Sequence, residues 1–516
     1  MSKDRSKVLR LPPTFALVLP VLRQIGVSRI VEQQCPIRRD ALMTHGEVVE
    51  AMLMHILQDS QRLPLYKMHK WAGKHNLNLL YGIAAKSFSD DRLGDTLDAL
   101  WPHTEDLYAK IITALLMRYG LQVKILLWDL THITFEGEHK LCDMIQPGFG
   151  HGVVHEKQMK LSAHVDAQTG LPIMYEPLAG ATNQTPLAAD YLEELQALLE
   201  REDLLVISDK AGICWDNIAA YYRANAFFVS TMQTTPDELA VVHQPDLADF
   251  APLAYRSANR PDDYYLYWST KLSLKRQKRR QPLQANGLVI FSSQLQRTES
   301  ERRDQDIRRA LAELKKVQQE YLNKTCYARR EAALKHIENK IKGQAKGIVL
   351  FELSGDDKQM SLRYRLDRRA LREARKYDGR YLLVHNLEAS PDAVFALYKR
   401  LYLVEHTFRN LNGLRVHPLW LHNPERIEAL IFLWMLALAI FTLLGILAQR
   451  AELDNQPHYH KLTPREMLQR FDLVLIEVAR RQGPRPRYQL IFDDEQLAIL
   501  AALGLDQPHR MLNAGS

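Results

Sequence analysis

A chain of 516 residues, 46% apolar and 25% charged, has an ordinary globular composition and is long enough for two to four structural units at roughly 150 residues each. That excludes wholesale disorder and fibrous repeats. Lys+Arg 68 against Asp+Glu 61 leaves a formal +7, which defines no partner if evenly spread.

Cys35, Cys142, Cys214 and Cys326 lie far apart. The spacing denies a disulfide framework and a zinc knuckle, and suits a reducing cytoplasm. The N-terminus has a basic start but two prolines and no sustained apolar stretch, so no signal peptide is expected.

Residues 1 to about 120 read as helices. Thr44 and Glu47 have capping-box spacing before Val48, Val49, Met52, Leu53 and Ile56, and Ser89-Asp90-Asp91 opens a helix striped by Leu93, Leu97 and Leu100. From 121 the pattern turns to strands. Val123–Trp128 predicts a buried strand ending at Asp129, with Thr131–Phe135 as its neighbour. Met159–Val165 and Leu171–Tyr175 flank a turn at Asp166–Gly170. A helix over 186–200 leads to the buried strand Leu204–Ile207, which ends at Ser208-Asp209. A helix over Trp215–Arg223 and a strand over Ala226–Thr231 complete a mixed α/β run.

The next 150 residues break that rhythm. Lys275–Arg280 is a basic cluster and Gly287–Phe291 a strand. Arg297 to Lys342 predicts two long polar helices broken near Asn323–Cys326, a projecting hairpin. Strands return at Gly347–Leu353 and Arg380–His385, followed by helices over 390–412, 424–449 and 463–480. Within the second of these, Ala429–Leu447 is apolar throughout and about as long as a membrane span. The amphipathic start at Arg426 and Glu428, and the lack of a second such stretch, favour a helix buried on all sides of a large core.

Two carboxylates stand at the ends of buried strands, Asp129 and Asp209. Strand ends in α/β sheets are where catalytic groups gather. Neighbouring strands would bring the two close, and like charges at that range need a cation; hard oxygen ligands suit Mg²⁺ or Mn²⁺. A third candidate is Glu405. With Tyr398, Arg409 and Asn412 it would share the polar face of one helix, opposite Leu401, Val404, Phe408 and Leu411.

Three blocks then resemble one family. They are LLWDLTHITFEGE around Asp129 with the strand pair that follows, LLVISDKAGICWDNIAAYYRANAFFVSTM around Asp209, and LYKRLYLVEHTFRNLNGLRVHPLWLHNPERIEALIFLWMLALAI around Glu405. Their order and spacing resemble the DDE transposases of bacterial insertion sequences from about residue 120 to 450, and SFSDDRLGDTLDAL is similar to the helical domain preceding the core in one subgroup. The resemblance implies an α/β fold with an RNase H-like mixed sheet flanked by helices. Its domains would be 1–120, an N-terminal helical domain and candidate DNA-binding module; 121–232, the first part of the catalytic core; 233–386, a basic insertion domain with the helical hairpin; 387–450, the second part of the core; and 451–516, a C-terminal helical region.

It further implies that Asp129, Asp209 and Glu405 are catalytic and jointly hold two Mg²⁺ (or Mn²⁺) for phosphoryl transfer on DNA. The partners would be double-stranded DNA, as terminal inverted repeats and target, and further copies of the chain in a homodimer or higher oligomer, with no membrane. The expected setting is the bacterial cytoplasm, associated with the nucleoid. Tyr398, Arg400 and Arg409, with Lys275, Arg276, Lys278, Arg279 and Arg280, are the expected DNA contacts. Leu401 and Asn412 stand where relatives carry Arg and Lys, and Asp209 is followed by Lys210-Ala211-Gly212 rather than Arg-Gly. The expected activity is cleavage at element ends and strand transfer, cut-and-paste; the alternative is a domesticated or regulatory relative that binds DNA without cutting. Residues 251–380 hold 31 Lys+Arg and 16 Asp+Glu, a local +15, while the remainder holds 37 against 45. The basic surplus thus belongs to the insertion, where phosphate contacts are expected.

Overall fold

The computed structural model describes residues 7–37, 41–58, 64–135, 142–150, 153–182, 189, 191–232, 236–257, 259–274, 282–414, 423–453, 462–471, 474–479 and 487–505. The chain divides into two units, one formed by residues 1–227 with 400–516 and the other by 228–399.

In the first unit, the strand Ile125–Thr134 lies between an antiparallel neighbour, Val153–Asp166, and a parallel one, Leu205–Ser208. Val153–Asp166 turns back into Pro172–Ala179, and Gln146–Gly150 pairs with its first half. Three antiparallel strands followed by a parallel one, flanked by helices, form the expected RNase H-like arrangement. The turn is built from its own residues: Asp166 accepts from the Thr169 backbone N–H (2.9 Å) and hydroxyl (2.6 Å), and Gly170 takes the left-handed φ of +75° that the reversal needs.

The apolar stretch is the core of this unit. The helix Pro424–Arg450 buries every residue from Ala429 to Ile440. It packs against the helices His45–Leu57, Asp90–Leu100 and Thr104–Tyr119 and the strand Pro172–Ala179. Each Leu, Ile or Phe so buried contributes about 1.5–3 kcal/mol. The polar residues at its start are used as well. Arg426 grips Asp98 with two hydrogen bonds of 2.7 Å, and Glu428 accepts from the Trp101 indole at 3.0 Å. The capping box at Thr44 and Glu47 and the Ser89 cap both form as expected.

Two helical expectations fail in this unit. The helix expected over 463–480 ends at Arg470, and Val474–Ala479 is a strand between Lys7–Leu11 and Arg487–Ile491. The terminal regions, read as helical, therefore meet in a three-stranded antiparallel sheet. Val474-Leu-Ile-Glu-Val-Ala479 is rich in β-branched residues, but one of its two partners, Lys7–Leu11, is more than 460 residues away, which periodicity cannot show.

The second unit carries an antiparallel sheet in the order Phe227–Thr231, Arg380–His385, Leu283–Ser292, Tyr265–Leu274, Ala251–Pro252. The expected helical hairpin is one long helix, Ser293–Lys316, and one short one, Arg330–Glu338. It does not stand free: Ile307, Leu314, Tyr327 and Ile337 share a core with Leu353 and Leu362 of a two-stranded hairpin. The short polar spacing of its apolar residues is that of a helix with one buried stripe.

Candidate active site

Asp129 was expected at the end of its strand with a separate strand after it. Instead Ile125–Thr134 is continuous, paired without a break from Leu126↔Asp166 to Thr134↔Gln158. No turn residue divides the two halves, and the 14-residue partner satisfies both. What ends at this level is the parallel neighbour. Trp128 lies opposite Ser208, the last residue of that strand, so Asp129 and Asp209 each follow directly after this paired position. Asp129 Oδ1 accepts from the Leu130 N–H at 2.7 Å. Beneath them Trp128 is fully buried, its indole donating to Ser162 at 2.9 Å.

The loop after Asp209 explains why glycine stands at 212. A Cβ there would lie 2.5 Å from the Ser208 side chain and 2.9 Å from the Trp128 ring. The Gly212 N–H donates to the Asp209 carbonyl (3.0 Å), and Asn217 holds the Gly212 carbonyl (2.9 Å). The departure from Arg-Gly thus keeps a glycine, one position later, in close backbone contact with the strand end.

Glu405 lies on the helix Tyr402–Gly413, which packs against the Asp129 strand and the long core helix. Glu405, Arg409 and Asn412 are exposed while Val404, Phe408 and Leu411 are buried, as the periodicity predicts. Tyr398 does not join them. The helix expected over 390–412 is two helices, Pro391–Lys399 and Tyr402–Gly413, parted by a turn at Arg400-Leu401. No proline or glycine marks that break. Tyr398 belongs to the second unit, where its ring lies 6.2 Å from that of Tyr381.

Thr407 was not singled out from sequence. It is buried, and its hydroxyl lies 3.1 Å from the Gly170 carbonyl and 2.9 Å from the Leu403 carbonyl. The Glu405 helix is thereby tied to the turn of the catalytic sheet. Thr407→Val keeps the shape and leaves that carbonyl without its donor. It is expected to cost about 1–2 kcal/mol in urea unfolding and to lower cleavage, with Thr407→Ser retaining both.

Burial raises the Asp129 pKa to about 7, the Asp209 and Glu405 carboxylates add to the rise, and the Leu130 N–H partly offsets it. Carboxylates from two distant parts of the chain therefore act on Asp129. Among the described residues no three His, Cys, Asp or Glu side chains converge closely enough to hold a metal ion as they stand. Hard oxygen donors with excess negative charge are what a divalent cation requires, so the residues present fit one.

Arg400 is half-buried near Asp166, whose raised pKa, due first to burial, it helps pull down. Arg409 is exposed one turn beyond Glu405. Lys275, Arg276, Lys278, Arg279 and Arg280 lie outside the described residues.

Asp129 on its strand, Asp209 just after the neighbouring strand and Glu405 on a helix packed against the first give the layout expected of a phosphoryl-transfer enzyme. The family described as "Transposase DDE domain" matches residues 124–440, more than half of the chain, and the chain belongs to it: an enzyme that cleaves DNA and transfers its strands. Residues 11–113 match a family described as "Domain of unknown function (DUF4277)". No curated protein matches the chain. Among solved structures, the chain is similar to a piggyBac transposase synaptic complex with hairpin DNA, at 10% identity and TM-score 0.41 over 91% of this chain and 82% of that one. It is also similar to a Mos1 transposase paired-end complex with left transposon end, at 15% identity and TM-score 0.14 over 37% and 59%. At these levels neither bears on the chemistry; the family match does.

Proposed function

We propose that the chain is the active transposase of a bacterial insertion sequence, cutting both strands at the element's ends and joining them to target DNA. The observation that carries this reading is the shared electrostatic site of Asp129, Asp209 and Glu405. These three would hold two Mg²⁺ or Mn²⁺, which when bound supply Lewis acidity for an in-line phosphoryl displacement. Asp129 must give up its proton to serve, and does so near neutral pH. The Gly212 N–H holds the Asp209 backbone carbonyl, and Thr407 anchors the helix that carries Glu405. Arg409 and Arg400, with Tyr398 and the basic segment 275–280, would contact the phosphates of double-stranded DNA. Two ends handled together call for a homodimer or larger assembly, acting in the cytoplasm on the nucleoid.

The alternative is a regulatory relative that binds ends without cutting. It draws on Leu401 and Asn412, which stand where cations are expected. The test is to incubate the full chain and Mg²⁺ with linear DNA carrying the two terminal repeats that flank its gene. Double-strand breaks at the repeats and products joined to a second duplex support the transposase reading. Specific binding to the repeats with no cleavage in Mg²⁺ or Mn²⁺ overturns it in favour of the regulator.

A further inference from the structure

We propose that Arg363, Arg365, Arg368, Arg369 and Arg372 form a surface of the second unit that follows the phosphate backbone of double-stranded DNA without reading its sequence. The inference rests on the transposase reading and names a DNA contact outside the catalytic site.

Two consecutive elements build the surface, the strand Ser361–Leu366 and the helix Arg368–Lys376. Each turns its apolar residues to the core shared with the long helix. Leu362, Tyr364 and Leu366 alternate inward along the strand, and Ala370, Leu371 and Ala374 form the inner stripe of the next helix. The intervening Arg363 and Arg365, and all the cations of the helix, are exposed.

Residues 361–376 contain seven cations, Arg363, Arg365, Arg368, Arg369, Arg372, Arg375 and Lys376, and two acids, Asp367 and Glu373. The acids have other work. Asp367 caps the helix, accepting from the Arg369 and Ala370 N–H groups at 2.9 and 3.0 Å, and Glu373 accepts from the Tyr377 hydroxyl at 3.0 Å. Arg375 and Lys376 pair with Asp304 (2.8 Å) and Asp246 (3.1 Å).

Among the described residues, the remaining five arginines form no ion pair. Arg372 reaches only the Arg368 carbonyl, at 3.4 Å. Arg365 and Arg369 both act on Asp367, so strand and helix arginines meet at the helix start. Arg368 and Arg372 are one turn apart, and like charges at that spacing destabilise a helix unless a polyanion covers them.

The choice of arginine suits phosphate, which its planar fork can grip with two hydrogen bonds. Among the described residues of these two elements, Tyr364, the one aromatic residue, packs against the core and is not available to stack on bases. The contact is therefore to the backbone of a duplex, and its signature is salt dependence.

The experiment measures binding of the full-length protein to a duplex of unrelated sequence across NaCl concentrations. It compares the wild type with the triple variant Arg368→Gln/Arg369→Gln/Arg372→Gln. A control removes the same charge from the exposed face of the long helix: Arg308→Gln/Arg309→Gln/Lys315→Gln. The first variant is expected to flatten the dependence of log K on log salt by about 2 to 3 and to weaken binding at least about tenfold near 0.1 M salt, with a melting temperature no lower than that of the wild type. The control should change the slope by less than about one. Equal losses in both variants overturn the proposal, because net charge alone then accounts for them. An unchanged slope in the first variant, in a wild type that binds and cleaves, overturns it and leaves the transposase reading intact. A wild type that does not bind duplex DNA at all overturns both.

Discussion

Replacing Glu405 with Gln is expected to lower Mg²⁺-dependent cleavage of end-containing DNA by on the order of 10³ while leaving duplex binding nearly unchanged. Gln has the volume of Glu, and position 405 is exposed on its helix, so the fold loses no packing. On the proposed function, what disappears is one of three negative charges available to a divalent cation. Cation binding and transition-state charge together are worth several kcal/mol, and about 4 kcal/mol corresponds to about 10³ in rate. Single-turnover cleavage beside a binding titration separates the two effects. Cleavage at the wild-type rate would remove Glu405 from the site.

Asp129→Asn is expected to abolish cleavage and, in the metal-free protein at pH 8, to raise stability. The wild-type carboxyl titrates near 7 rather than in its ordinary range because it is buried and faces two other carboxylates. Between about pH 4 and 7 the folded state keeps a proton that the unfolded chain has released, so stability falls as pH rises through that window and levels off above it. A rise from 3.8 to about 7 corresponds to up to about 4 kcal/mol. The amide carries no charge to desolvate, and its oxygen keeps the Leu130 hydrogen bond. The variant should therefore show a shallower slope, keeping only the part due to groups such as Glu50, which burial also pushes up to about 7, and should melt higher than the wild type at pH 8 in EDTA. Divalent cations should stabilise the wild type above pH 7 and leave the variant unmoved, since ligation needs the ionised carboxylate. A variant that melts lower at pH 8 would show that Asp129 is not strained by its neighbours.

Much of this arrangement was legible in short stretches of chain. The Thr44–Glu47 box, the Ser89 cap, the turn at Asp166–Gly170 and the strand before Asp209 each depend on residues within a few positions of one another. The failures share a different cause. The apolar run that stops at Asp129 predicts a strand end there, but a strand continues as long as its partner does, and Val153–Asp166 pairs on to Thr134. The single helix drawn through Tyr398 and Glu405 broke at Arg400-Leu401, where no breaker residue announces it.

Patterning alone established the α/β class, the buried helix at 424–450 and the concentration of charge in 251–380, because burial and propensity act locally and leave a period in the chain. Tertiary structure decided the rest. It brought Asp209, just after its strand, beside the Asp129 strand, tied the Glu405 helix to Gly170 through Thr407 and joined the two terminal regions in one sheet. Each of these depends on groups tens to hundreds of residues apart, and their energies exist only once the chain has brought them together.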